Sequence, residues 1–167
     1  MISKNRFLIK TAVIVSMLMA STLVVSTGCS SALSDASLPP IEVEGWTNGG
    51  PPSDLEGNVL VIDVFASWCV PCIQQTPDLV KLHDKYKDQG VKFIAVTDET
   101  DGALSEINMF AEQLGVPWPI GYGANKFTAA MKVTGYPTVF VVARDGTIVW
   151  NSLQLSGTLE GAIRQVL

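Results

Sequence analysis

The stretch Val59-Leu60-Val61-Ile62-Asp63-Val64-Phe65 constrains the fold more than any other. It is almost continuously apolar, rich in β-branched residues, and follows the turn signal Gly57-Asn58. Such a run predicts a central strand buried on both faces, which requires helices on both sides of a sheet. Asp63 interrupts it and is the anomaly to be explained. Val91 to Thr97 predicts a second buried strand. Between the two, Cys72 to Lys87 predicts a helix, with Ile73, Leu79, Val80, His83 and Tyr86 favouring one side and Pro77 a kink inside it. Leu104, Ile107, Phe110, Ala111 and Leu114 keep helical spacing, and Gly115 and Pro117 end that helix. The acidic run Asp98 to Asp101 reads as its N-cap and as a solvated loop. Trp118 to Tyr122 is expected as a short strand and Lys126 to Val133 as a short helix. Thr138 to Ala143 and Thr147 to Trp150 flank Asp145-Gly146 as a hairpin, and Thr158 to Leu167 closes the chain as a helix. Buried strands alternating with helices, then a hairpin and a helix, predict an α/β sandwich.

The N-terminus has a different character. Lys4, Arg6 and Lys10 precede an uncharged stretch from Thr11 to Gly28, which ends in the small residues Ser26-Thr27-Gly28. This is the layout of a secretory signal peptide. Cys29 follows at once, as in a bacterial lipobox, where that cysteine is lipidated; Ser26 stands where Leu is usual. A plainly cleaved signal and an uncleaved membrane anchor are the alternatives. Each places the remainder outside the cytoplasm, where disulfide chemistry operates. Residues 29–41, Ser/Ala-rich and ending near Pro39-Pro40, read as a tether, and 42–167 as the domain.

Charge narrows the function classes. Three of the 11 basic residues and none of the 16 acidic ones lie in the first 28, so the remaining 139 carry a formal charge of −8. A nucleic-acid binder needs a basic patch, and docking on an anionic membrane needs a basic surface; neither fits. Abundant apolar runs exclude intrinsic disorder. Three cysteines do not make a disulfide scaffold.

The chemistry resides in Trp68-Cys69-Val70-Pro71-Cys72, placed a few residues after a buried strand and at the opening of a helix. Free N–H groups and the positive end of the helix dipole stabilise a thiolate, so Cys69 is the expected nucleophile. The two-residue spacer lets Cys72 close a small disulfide ring with it, and exchange then passes through a mixed disulfide on Cys69 that Cys72 resolves. Pro71 falls in the first helical turn, where its missing N–H does no harm. Half a zinc site is the bland alternative, but such a site ordinarily needs about four ligands, no other cysteine is available unless Cys29 stays free, and His83 is the lone histidine, so no metal is expected. His83, sharing a side with apolar neighbours, reads as structural, and Trp46, Trp118 and Trp150 as packing residues.

From about Glu42 to Leu167 the chain resembles the thioredoxin superfamily and, within it, the TlpA-like membrane-tethered thioredoxins. The run from Asp63 to Cys72 matches the family's strand and active-site loop, and Gly135-Tyr136-Pro137-Thr138 its cis-proline loop. The resemblance implies a thioredoxin-like three-layer sandwich with a mixed sheet, carrying a central αβ insert at about 98–127. It implies a cis Tyr136-Pro137 bond and a substrate backbone lying along Tyr136. Trp68, Val70 and Pro71 complete the expected substrate-facing surface, with Trp68 chiefly shielding the sulfurs. Asp63 lies where thioredoxins carry a buried acid. Desolvation raises the pKa of such a carboxyl, fitting it to move a proton when Cys72 attacks. Three residues after Cys72, where many TlpA-like proteins have Glu, this chain has Gln75.

The expected function is therefore an exported, monomeric thiol-disulfide oxidoreductase without a cofactor beyond the Cys69–Cys72 couple. It would exchange with protein thiols and disulfides and be recharged by a membrane electron donor. No His lies between the cysteines, which leans against a strong oxidant and toward a reductant of the cytochrome c maturation type. A non-catalytic binding module and a thiol peroxidase are the alternatives.

Overall fold

The computed structural model describes residues 36–153 and 155–167. The signal segment, the lipobox cysteine Cys29 and the first part of the tether lie outside the described residues. Six strands form one mixed sheet in the order β1-β4-β3-β2-β5-β6. They are β1 (Gly45–Thr47), β2 (Val59–Val64), β3 (Val91–Val96), β4 (Ile120–Tyr122), β5 (Thr138–Val142) and β6 (Ile148–Asn151). Among the described residues four α-helices, α1 (Val70–Tyr86), α2 (Leu104–Leu114), α3 (Asn125–Ala130) and α4 (Leu159–Val166), cover its faces.

The central strand is as its composition demands: all six residues of β2 are buried. It runs parallel to β3 and antiparallel to β5. Side chains alternate across a strand, so β2 feeds two separate cores. Val59 and Val61, with Phe65 just beyond the strand, join the cluster that contains Leu79 and Tyr86 of α1, Ile107 and Phe110 of α2, and Ile163 of α4. Leu60, Ile62 and Val64 join the opposite cluster, under Phe127 of α3. The result is helix–sheet–helix layering, the thioredoxin-like sandwich.

Leu38, Ile41, Val43 and Trp46 also pack on the second cluster. Leu38 N–H donates to the Gly146 carbonyl and Ile148 N–H to the Ala36 carbonyl, each at 2.9 Å. The end of the stretch read as a tether thus lies hydrogen-bonded on the β5–β6 hairpin. β1 was not anticipated; a three-residue strand with Gly45 at its start carries too little pattern, and its pairing with β4 defines it. The region 98–127 supplies α2, β4 and the start of α3, and β4 inserts between β3 and the edge.

Two local expectations are corrected. α1 begins at Val70, with Cys69 as its N-cap, rather than at Cys72, and Pro77 lies inside it as expected. The acidic run does not cap α2; a 3-10 turn at Asp101–Ala103 intervenes, and Ala103 holds the cap position without a side-chain bond. At the hairpin, Gly146 takes φ 85°, and Asp145 accepts the Thr147 N–H at 2.9 Å, as an Asp-Gly turn should.

Candidate active site

Cys69 and Cys72 form a disulfide with their Cα atoms 5.2 Å apart. The strand delivers it: β2 ends at Val64, four residues of loop follow, and α1 starts on the far side of Cys69. As N-cap, Cys69 has extended backbone (φ −78°, ψ 106°), and its Sγ accepts the Cys72 N–H at 3.2 Å. Its carbonyl accepts the Ile73 N–H at 3.1 Å. The sulfur therefore occupies the place that a Ser or Asp oxygen takes in an ordinary helix cap. Both cysteines are almost covered, 4% and 2% exposed, whereas the flanking Trp68 and Val70 are 70% and 61% exposed. Pro71 is exposed as well. Ile73 and Met109 add further exposed apolar surface. With Trp68 and Phe110 they line a shallow groove of about 200 Å³ whose rim carries Glu106.

The Tyr136-Pro137 peptide is cis, as the match predicted. Register brings its loop to the same end of the sheet, because Val64 of β2 pairs with Thr138 of β5. Tyr136 meets Trp68 edge to face, ring centroids 6.3 Å apart. So the structure gathers Cys69, Cys72, Trp68, Val70, Pro71, Tyr136 and Pro137 at one end of the sheet.

Asp63 is 4% exposed, on the same side of β2 as Val59 and Val61, which is the α1 side. Its Oδ1 is buried and has no hydrogen-bond partner among the described residues. Desolvation pushes its pKa up from 3.8 to about 7. Gln75 is half-buried on α1, its Oε1 likewise sequestered and unpaired.

The acidic run is the main correction at this end of the molecule. Asp98 and Glu99 are half-buried and engaged, not solvated. Glu99 accepts the Ser67 N–H at 2.7 Å through Oε2 and the Ser67 hydroxyl at 2.6 Å through Oε1. Thr97 Oγ1 donates to the same carboxylate at 3.0 Å. Asp98 accepts the Tyr136 hydroxyl and the Thr128 hydroxyl, each at 2.7 Å. Burial, then the Asp98 contact, holds the Tyr136 phenol above its ordinary pKa. Sequence reasoning missed both acids because a run of charge after a strand ordinarily faces water. The available signal was their position at the C-terminal end of β3, beside the reactive loop.

His83 is structural: it meets Phe93 edge to face at 5.4 Å and lies 5.6 Å from the Trp118 ring. Burial lowers its pKa. Among the described residues no group of three or more His, Cys, Asp or Glu is placed to hold a metal, and no helix is long and apolar enough to cross a membrane.

Comparison with known proteins agrees with this geometry. The Redoxin family model matches residues 51–162. The thiol-disulfide oxidoreductases ResA of Bacillus thuringiensis and Bacillus anthracis are each 32% identical over 117 residues, 68% of this chain and 66% of theirs. The chain thus spans just under two thirds of the length of these relatives. Among solved structures, a thiol-disulfide isomerase from Corynebacterium glutamicum shares the fold with a TM-score of 0.69, at 22% identity over 81% of this chain and 98% of that one. A thiol:disulfide interchange protein from Chlorobium tepidum does so with a TM-score of 0.66, at 19% identity over 78% and 95%. The chain belongs to the Redoxin family and is similar to the ResA thiol-disulfide oxidoreductases.

Proposed function

We propose that the protein is a membrane-tethered reductant of protein disulfides on the outer side of the cytoplasmic membrane. The observation that carries this reading is the cap geometry: Cys69 Sγ sits at the N-terminus of a 17-residue helix and accepts the Cys72 N–H. That donor and the helix dipole favour negative charge on Cys69 once the disulfide is opened.

In the reducing direction the Cys69 thiolate attacks a substrate disulfide. A mixed disulfide forms on Cys69, and one substrate sulfur leaves as thiolate. Cys72 then loses its proton to Asp63, through water, and attacks Cys69 Sγ. The second substrate thiolate leaves, and the Cys69–Cys72 disulfide is restored. The substrate has gained two electrons and the enzyme has lost two. A carboxyl with pKa about 7 is ionised often enough to accept that proton and protonated often enough to return it. A membrane electron donor would reset the pair.

Trp68, Val70, Pro71 and the Tyr136 backbone are the substrate-facing surface of this proposal, and the protein acts as a monomer. The resemblance to TlpA-like proteins points to apocytochrome c or a copper-site assembly factor as substrate, and the ResA relatives bear the name of thiol-disulfide oxidoreductases. Lipidation of Cys29 would supply the tether, consistent with the basic, apolar and small-residue order before it. The test is exchange itself. The reduced domain should reduce insulin disulfides, and Cys69→Ser should not; equal rates would refute the reading. Labelled palmitate should enter the full chain but not its Cys29→Ala variant, and equal labelling would refute the lipid tether.

A further inference from the structure

Two loops must keep a fixed distance for a polypeptide to react here. One carries Cys69, and the other carries Tyr136 and Pro137. A single dipeptide touches both. Glu99 holds the first loop through the Ser67 N–H and hydroxyl, two residues before Cys69. Asp98 holds the second through the Tyr136 hydroxyl.

The dipeptide is itself anchored. The Glu99 carbonyl accepts the Gly123 N–H at 2.7 Å, and the Asp98 carbonyl accepts the Asn125 side-chain amide at 3.3 Å. Immediately before it, Thr97 N–H donates to the Gly121 carbonyl and Ala124 N–H to the Thr97 carbonyl, both at 2.9 Å. Asp98 also ties down α3 through Thr128. The carboxylates thus project from a platform knitted into β3, β4 and the start of α3. Hydrogen bonds to a charged acceptor are the stronger kind, and these are short.

We infer that Asp98 and Glu99 are positioning residues that set the spacing between the nucleophile loop and the Tyr136-Pro137 loop. The inference rests on the exchange reaction proposed above. A peptide disulfide must meet Cys69 while its backbone runs along the second loop, so it depends on both loops together. A small disulfide such as hydroxyethyl disulfide need only reach the sulfur. Misplacing one loop therefore costs orientation for the peptide and little of it for the small reagent.

The experiment compares the reduced protein with its Asp98→Asn, Tyr136→Phe and Glu99→Gln variants. The readout is the rate with a cystine-bridged peptide divided by the rate with hydroxyethyl disulfide. Each variant should lower that ratio about tenfold, the equivalent of one charged hydrogen bond of modest strength. Asp98→Asn combined with Tyr136→Phe should lower it no further than Tyr136→Phe alone, because the Asp98 carboxylate acts on that loop through the phenol. Exchange of the Ser67 amide hydrogen should quicken in Glu99→Gln and stay slow in Tyr136→Phe. An unchanged ratio in all three variants overturns the inference. So does a parallel loss with both disulfides that tracks melting temperature, which would mean a general packing role. Failure of the unaltered protein to reduce either disulfide strikes the functional reading instead, and the Ser67 amide then still decides whether Glu99 holds the loop.

Discussion

Cys69 caps the helix that carries its own partner: its Sγ accepts the Cys72 N–H at 3.2 Å. In the proposed mechanism the first sulfur is the one that holds charge, and the other is the one that must first lose a proton. The asymmetry predicts different failures. Cys69→Ser should abolish exchange with protein disulfides. Cys72→Ser should retain the first attack and accumulate mixed disulfides, visible as reducible higher-mass species by mass spectrometry. Accumulation in the Cys69 variant instead would reverse the assignment.

Asp63 predicts a kinetic effect. Without its carboxylate, release from the mixed disulfide at pH 7 should slow about a hundredfold in Asp63→Asn, the usual scale of one general base. The pH dependence of that step should move upward, toward ionisation of Cys72 unaided. A resolving rate equal to wild type at every pH would remove Asp63 from the mechanism.

The same residue predicts a stability effect. Between pH 3.8 and about 7 the folded protein keeps a proton on Asp63 that the unfolded chain has lost. Stability therefore falls as pH rises through that window and levels above it, by up to about 4 kcal/mol. Asp63→Asn lacks this loss, so its stability advantage over wild type should grow from pH 4 to pH 7. Urea denaturation at the two pH values measures it.

His83 works in the opposite sense. Its pKa is lowered by burial against Phe93 and Trp118, so the unfolded chain takes up a proton that the folded one resists. Wild type should lose stability as pH falls below 6.5, relative to His83→Phe. Melting curves of both proteins at pH 7 and pH 5 provide the check.

Phe65 links the reactive loop to the helix of the 98–127 region. Its ring stacks on Phe110 at 4.6 Å, and it is fully buried. Phe65→Ala should cost about 3–5 kcal/mol. Because the cavity would open beneath the loop bearing Ser67 and Trp68, exchange should weaken as well.

Legibility in the sequence followed the scale of each signal. The run Val59 to Phe65, β-branched and bounded by a turn signal, read as a central strand, and with it came the sheet, a core on each face and the helix that follows. Contiguous motifs located the disulfide and the cis Tyr136-Pro137 loop. The N-cap of α1 falls at Cys69 because a cysteine sulfur can accept the cap bond, which propensity does not anticipate. β1 depends on a partner 73 to 77 positions away, Thr47 facing Ile120 at one end and Gly45 facing Tyr122 at the other, and leaves no periodic trace. Asp98 and Glu99 were misread for a related reason. Their partners Tyr136 and Ser67 lie 38 and 32 residues off, and only the folded sheet brings them together.

The reduction potential of the Cys69–Cys72 couple tests the central claim most directly. Equilibration of the domain against defined thiol buffers should give a value near that of thioredoxin, about −270 mV, as a reductant requires. A value near −120 mV would mark an oxidant and contradict the account.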